Sequence, residues 1–153
     1  MQPDMNQVQK NITDVRKTAM RADKPAMEVR DLSFSYGKNK VLKGISFTIE
    51  GGKITTIMGA NGCGKSTLFN LMTKNLYPRK GNIFLHGRNI QNFGLKDFAK
   101  RVSIVHQYNS SADDITVERL VSFGRTPHMK MMQGRSDEDE KLIEWAMEVT
   151  NVE

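Results

Sequence analysis

Nine consecutive residues, Gly59-Ala60-Asn61-Gly62-Cys63-Gly64-Lys65-Ser66-Thr67, combine small, cationic and hydroxyl side chains at a spacing suited to holding phosphate. They fit the pattern GxxxxGK[ST], with Gly59, Gly64, Lys65 and Ser66 at the fixed places. A polyphosphate carries several negative charges, and each must meet closely packed donors. Glycines let backbone N–H groups turn inward without obstruction and so form a concave anion nest. In that chemistry the Lys65 ammonium reaches the β- and γ-phosphates, the Ser66 hydroxyl ligates Mg²⁺, and the backbone of Asn61, Gly62, Cys63 and Thr67 completes the cradle. Binding of a nucleoside triphosphate is the first expectation.

Such a loop works between a strand and a helix. Upstream, Lys53-Ile54-Thr55-Thr56-Ile57-Met58 is β-branched and apolar, which predicts a short buried strand. Downstream, the run from Ser66 to Lys74 holds Leu68, Phe69, Leu71 and Met72 without proline or glycine, which predicts a buried helix. The N-terminus of that helix would turn its partial positive charge toward the phosphates.

Ahead of the loop, Glu28 to Tyr36 reads as a strand that offers Val29, Leu32, Phe34 and Tyr36 to one side or the other. Gly37-Lys38-Asn39-Lys40 reads as a turn, Val41 to Glu50 as a second strand and Gly51-Gly52 as another turn. These two antiparallel strands make a β-rich front to an α/β core. Past the first helix, Pro78-Arg79-Lys80-Gly81 turns the chain into a strand over Asn82–His86. Leu95 to Lys100 is predicted as a short helix and Val102-Ser103-Ile104-Val105 as an apolar strand ending at His106-Gln107. Thr116 caps a further helix with Glu118 in its first turn. Ser136-Asp137-Glu138-Asp139 forms a capping box, after which Leu142, Trp145, Ala146 and Val149 share one helical face. Residues 1–25 are polar, with a thin apolar stripe at Val8, Ile12, Val15, Ala19 and Ala22, and read as a mobile extension.

The chain has 153 residues, enough for one domain with a sizeable core. Mean hydropathy is -0.52 and no apolar run approaches the ~20 residues of a membrane span, so a soluble domain is expected. No apolar h-region marks a secretory signal at the N-terminus. The single cysteine, Cys63, rules out an intrachain disulfide, which suits the cytosol, and reads as a small residue at a variable loop position. A net charge of +6 could indicate nucleic acid or an anionic membrane face. The basic residues are scattered, however, and no nucleic-acid partner is expected.

From Met27 to Val152 the chain resembles the N-terminal half of the ATP-binding subunit of an ABC transporter. The likeness rests on several features in order. Phe34-Ser35-Tyr36-Gly37 is similar to the family's aromatic A-loop, which makes Tyr36 the adenine platform; Val41-Leu42-Lys43-Gly44-Ile45-Ser46-Phe47 is similar to the strand after it. Gln107, 42 residues beyond Lys65, stands where the family has its Q-loop glutamine, a residue that ligates Mg²⁺ and orients water. The string Thr116 to His128, with Gly124-Arg125-Thr126-Pro127-His128, resembles the subgroup serving importers of iron–siderophore, haem and cobalamin chelates.

The resemblance implies a P-loop NTPase of ABC type, an α/β fold, in incomplete form: an extension over residues 1–25, a partial nucleotide-binding core over 26–108, and a partial helical subdomain over 109–153. It implies ATP and Mg²⁺ as ligands, with membrane-spanning permease subunits and a second ATP-binding subunit as partners. It also implies a place on the inner face of the plasma membrane. Three family features are missing from the sequence: a Leu-Ser-Gly-Gly signature, an apolar strand ending in Asp-Glu, and the histidine that follows them. Two alternatives therefore stand beside a chelate-importing ATPase. One is a nucleotide-binding fragment without turnover; the other is a soluble ABC protein acting on nucleic acid.

Overall fold

The computed structural model describes residues 25–105, 115–129 and 134–152, which fall into two compact units, 25–94 and 95–152. The first unit is built on an antiparallel sheet of four strands in the order β2-β1-β3-β4. Strand β1 (Met27–Tyr36) lies in the middle, with β2 (Asn39–Ile49) on one side and β3 (Lys80–Leu85) on the other; β4 (Arg88–Asn89) is a short edge. Helix α1 (Lys65–Met72) follows the glycine-rich loop, as its composition predicts, and buries Thr67, Leu68, Leu71 and Met72.

The alternation of buried residues along β1 changes part-way along the strand. Val29 and Leu32 are both fully buried although they are three residues apart, which strict alternation forbids. The register against both neighbours shifts between them, and Asp31 takes a left-handed φ of 49°. This is a β-bulge, which adds a residue and re-aims the side chains beyond it. Past the bulge Leu32, Phe34 and Tyr36 share the face that Val29 occupies before it. Gly81 on β3 makes the bulge possible, since a Cβ there would lie 2.3 Å from the Asp31 carbonyl oxygen and 2.4 Å from that of Arg30.

Two predicted strands are corrected. Residues 53–58 and 102–105 belong to no ladder among the described residues. Ile54 is 98% exposed, Met58 85% and Val105 91%. β-Branched composition favours a pleated, half-buried surface but does not supply one. A strand persists through the N–H and C=O groups of a neighbour, and neither segment is paired with a described strand.

In the second unit α2 (Leu95–Ala99), α3 (Val117–Ser122) and α4 (Asp137–Thr150) form where the sequence predicts helices, the last two with their predicted caps. The Thr116 hydroxyl accepts from the Arg119 N–H, and Ser136 and Asp139 exchange both capping-box bonds. Along α4, Ile143 rather than Val149 is the buried position: Ile143 is 3% exposed and Val149 64%. Leu142, Trp145 and Ala146 are half-buried. The expected mobile extension lies outside the described residues.

Candidate functional site

The phosphate-loop residues come together through backbone atoms. The Lys65 side chain folds back across the loop, its Nζ donating to the carbonyl oxygens of Gly59 at 2.7 Å and Ala60 at 2.8 Å. The Cys63 N–H donates to the Ala60 carbonyl at 3.3 Å and closes the turn. Exposed Cys63 places its Sγ 3.9 Å from the same ammonium. A Cβ at Gly59 would stand 2.7 Å from that Sγ, so a side chain there would oblige Cys63 to turn away. Lys65 thus holds a positive charge within a ring of main-chain atoms spanning residues 59 to 65.

Helix α1 begins at that ring without a side-chain cap. Its first intrahelical bond runs from the Leu68 N–H to the Gly64 carbonyl at 2.9 Å. By helix geometry the N–H groups of Lys65, Ser66 and Thr67 then have no intrahelical acceptor. Uncapped donors at the positive end of a helix dipole suit an anion. The Ser66 hydroxyl is exposed in this turn and Thr67 is buried.

Gly64 joins the loop to the sheet. It takes φ 102° and ψ 8°, and a Cβ there would meet Leu42 Cδ2 at 2.9 Å and Val41 Cγ1 at 3.0 Å. The loop therefore rests directly on β2. Leu42 is paired across the sheet with Phe34, near the hairpin tip where Tyr36 pairs with Asn39. Tyr36 is 51% exposed and packs perpendicular to Phe34, with ring centroids 4.9 Å apart and an interplanar angle of 84°. Sequence reasoning placed Tyr36 and Gly64 in the site. It missed Phe34, Val41 and Leu42 as the side chains lying between them, since their apolar pattern signals only a strand. Gln107 lies outside the described residues.

In the second unit, a cleft of about 510 Å³ is lined by Glu118, Glu140, Glu144 and Glu148 around Ile143 and Met147, with Arg135. Four carboxylates against one guanidinium repel a polyphosphate, so the volume of this cleft does not make it the nucleotide site. Nearby, Arg125 Nε donates to Asp139 Oδ1 at 2.7 Å, and the Ser136 hydroxyl donates to Asp139 Oδ2 at 2.7 Å. The Ser136 hydroxyl, then Arg125, then the Ser136 N–H hold the Asp139 carboxyl down to about 2. Partial desolvation, followed by the charges of Arg125 and Lys100, lowers the pKa of the His128 imidazole. Arg125 and His128 of the importer-like string thus stand in a polar cluster at the start of α4.

A glycine-walled turn with an inward lysine, opening onto an uncapped helix, defines a P-loop nucleotide-binding domain. The family model described as "ABC transporter" matches residues 42–152. The chain belongs to the ABC transporter family. It is 35% identical over 127 residues to the iron(3+)-hydroxamate import ATP-binding protein FhuC of Bacillus subtilis (strain 168), covering 83% of this chain and 47% of that protein. It is 36% identical over 121 residues to the ferric enterobactin transport ATP-binding protein FepC of Escherichia coli (strain K12), covering 79% and 45%. The chain spans just under half the length of these curated relatives. Among solved structures, cbiO1 from Clostridium perfringens, part of the ABC transporter complex cbiONQ, superposes with a TM-score of 0.64 at 31% identity, covering 86% of this chain and 52% of that one. An ATP-binding subunit of an ABC transporter gives a TM-score of 0.68 at 22% identity, a likeness of fold.

Proposed function

We propose that this chain is the ATP-binding part of an ABC-type ATPase that powers uptake of an iron–siderophore-like metal chelate across the plasma membrane. The observation that carries the reading is the Lys65 ammonium drawn over the Gly59 and Ala60 carbonyls at the mouth of uncapped helix α1. An arriving triphosphate offers that ammonium stronger acceptors than two carbonyls, and the orphan N–H groups of the first turn take the remaining oxygens. Tyr36 supplies an aromatic face for adenine. The chelate assignment rests on the likeness to the hydroxamate and enterobactin proteins and on the string Gly124 to His128.

The Ser66 hydroxyl fits one oxygen ligand of Mg²⁺, and Gln107 is the other side chain assigned to it. Among the described residues no cluster of three His, Cys, Asp or Glu could hold a metal, so phosphate and water oxygens would complete that shell. When bound, Mg²⁺ neutralises charge on the β- and γ-phosphates. The reading divides the chain into an extension (1–25), a nucleotide-binding core (26–108) and a helical part (109–153). Its partners are permease subunits and a second ATP-binding subunit, without nucleic acid, at the inner face of the plasma membrane. No helix among the described residues is long and apolar enough to cross a membrane.

A second reading, binding without turnover, draws on the exposure of Ile54 and Met58 in the segment leading to the loop. Titration with ATP, together with a phosphate-release assay, decides between the two. Lys65→Ala is expected to weaken ATP binding at least tenfold, the loss of one charge-assisted contact to phosphate. Unchanged affinity would remove the basis of both readings, whereas tight binding with no phosphate release would leave the second alone.

A further inference from the structure

We infer that Phe34 is a positioning residue for the nucleotide base, acting through Tyr36. The inference rests on the reading of Tyr36 as the adenine platform. Tyr36 is the last residue of β1, beside the two-residue turn, and half its surface is open. An unsupported aromatic side chain at a hairpin tip exchanges rotamers, and every rotamer that turns its face away from the base is lost to binding. Phe34 limits that exchange. Its ring is 7% exposed and meets the Tyr36 ring edge to face at 4.9 Å and 84°. A perpendicular contact uses at most one face of Tyr36 and leaves the other free for a purine.

Phe34 also ties the base end of the site to the phosphate end. Its cross-strand partner Leu42 is the side chain closest to where a Gly64 Cβ would be. Tyr36 meets Phe34, Phe34 pairs in the ladder with Leu42, and Leu42 lies against Gly64, a path that couples the aromatic face to the phosphate loop. The β-bulge at Asp31 is what puts Phe34 and Tyr36 on the core face to make this line.

The test compares ATP with inorganic tripolyphosphate, which shares the phosphates and lacks the base, by calorimetric titration of the whole chain. Phe34→Leu keeps an apolar side chain in the core and removes the ring. It is expected to weaken ATP about three- to tenfold, the worth of one edge-to-face pair, and tripolyphosphate less than twofold. In a Tyr36→Ala background, Phe34→Leu should leave the ratio of the two affinities unaltered, because its only route to the base is gone. A merely structural role would weaken both ligands equally, and that result, or an unchanged ratio in Phe34→Leu, overturns the inference. If Tyr36→Ala itself leaves the ratio unchanged, the platform reading fails first and takes this inference with it.

Discussion

Replacing Gly64 by alanine separates two reasons for a glycine in the phosphate loop. The residue sits at φ 102°, well beyond the left-handed basin of an L-residue, which centres at about +57°. Forcing alanine into left-handed backbone costs roughly 1–2 kcal/mol. The new Cβ would also stand 2.9 Å from Leu42 Cδ2 and 3.0 Å from Val41 Cγ1. Leu42 can swing aside, but β-branched Val41 is stiff at χ1, so the crowding adds about 1–2 kcal/mol, the lower part of the overpacking range. The free loop can relieve both strains by leaving its conformation, and phosphate binding must then restore it. The cost therefore appears in affinity: about 2–4 kcal/mol, or roughly 30- to 700-fold weaker binding. Gly62 provides the reference, since it has φ +81° with nothing within 4 Å of its would-be Cβ. Gly62→Ala should cost only the backbone term, roughly 5- to 30-fold. Calorimetric titration of both variants with ATP, with circular dichroism to confirm unchanged helix content, measures the difference. Gly64→Ala binding within threefold of Gly62→Ala would refute the claim that β2 seats the loop.

Gly81→Ala drives a methyl group into the Arg30 and Asp31 carbonyls at φ 86° and should cost about 2–4 kcal/mol of stability in urea melts; a loss below about 1 kcal/mol would mean the bulge is dispensable. Ser136→Ala removes the N-cap of α4 and is expected to cost about 1 kcal/mol, readable as a lower urea midpoint; no loss would show the capping box is idle. The fold should also weaken with acid in two stages. His128 has a folded pKa below its ordinary 6.5, so its contribution is present above that value and is lost as pH falls through the lowered one. Asp139, held to about 2 against an ordinary 3.8, contributes above 3.8 and loses that contribution as pH falls toward 2. His128→Asn should abolish the first stage and spare the second, whereas a flat urea midpoint from pH 7 to 5 in the parent would contradict the His128 assignment.

Local signals were readable and long-range ones were not. The GxxxxGK[ST] run, the helix after it and the Ser136 capping box are written within a few residues, because their hydrogen bonds close within one or two turns. The β1–β2 hairpin is equally plain from its turn residues. The bulge at Asp31 has no such signature, since it depends on Gly81 of another strand. Residues 53–58 carry every mark of a buried strand, yet composition cannot provide the neighbour that makes a ladder. Arg125 looked like part of a subgroup string. Its ion pair with Asp139, 14 residues on, shows how that string is tied to α4. Within the candidate site, the glycine-rich turn and the helix after it were legible, while the side chains joining them to Tyr36 became visible only with the strand register.

Those joining side chains bear on how the loop keeps its shape. A phosphate loop is commonly pictured as the tip of its own strand, and here that strand forms no ladder among the described residues. The turn nevertheless has Lys65 drawn across the Gly59 and Ala60 carbonyls, a closed bond from Cys63 to Ala60, and a helix beginning at Gly64. The remaining hold comes from the other side, where Gly64 lies against Val41 and Leu42 on β2, which pairs with β1 from Asn39 to Ile49 through three register shifts. The β1–β2 hairpin thus has two roles: it presents Tyr36 at its tip and carries the loop on its flank. On the proposed reading, base and phosphate contacts are then positioned by one hairpin, which is why a single methyl group at Gly64 or a lost ring at Phe34 should register in nucleotide affinity before it registers in the melting of the sheet.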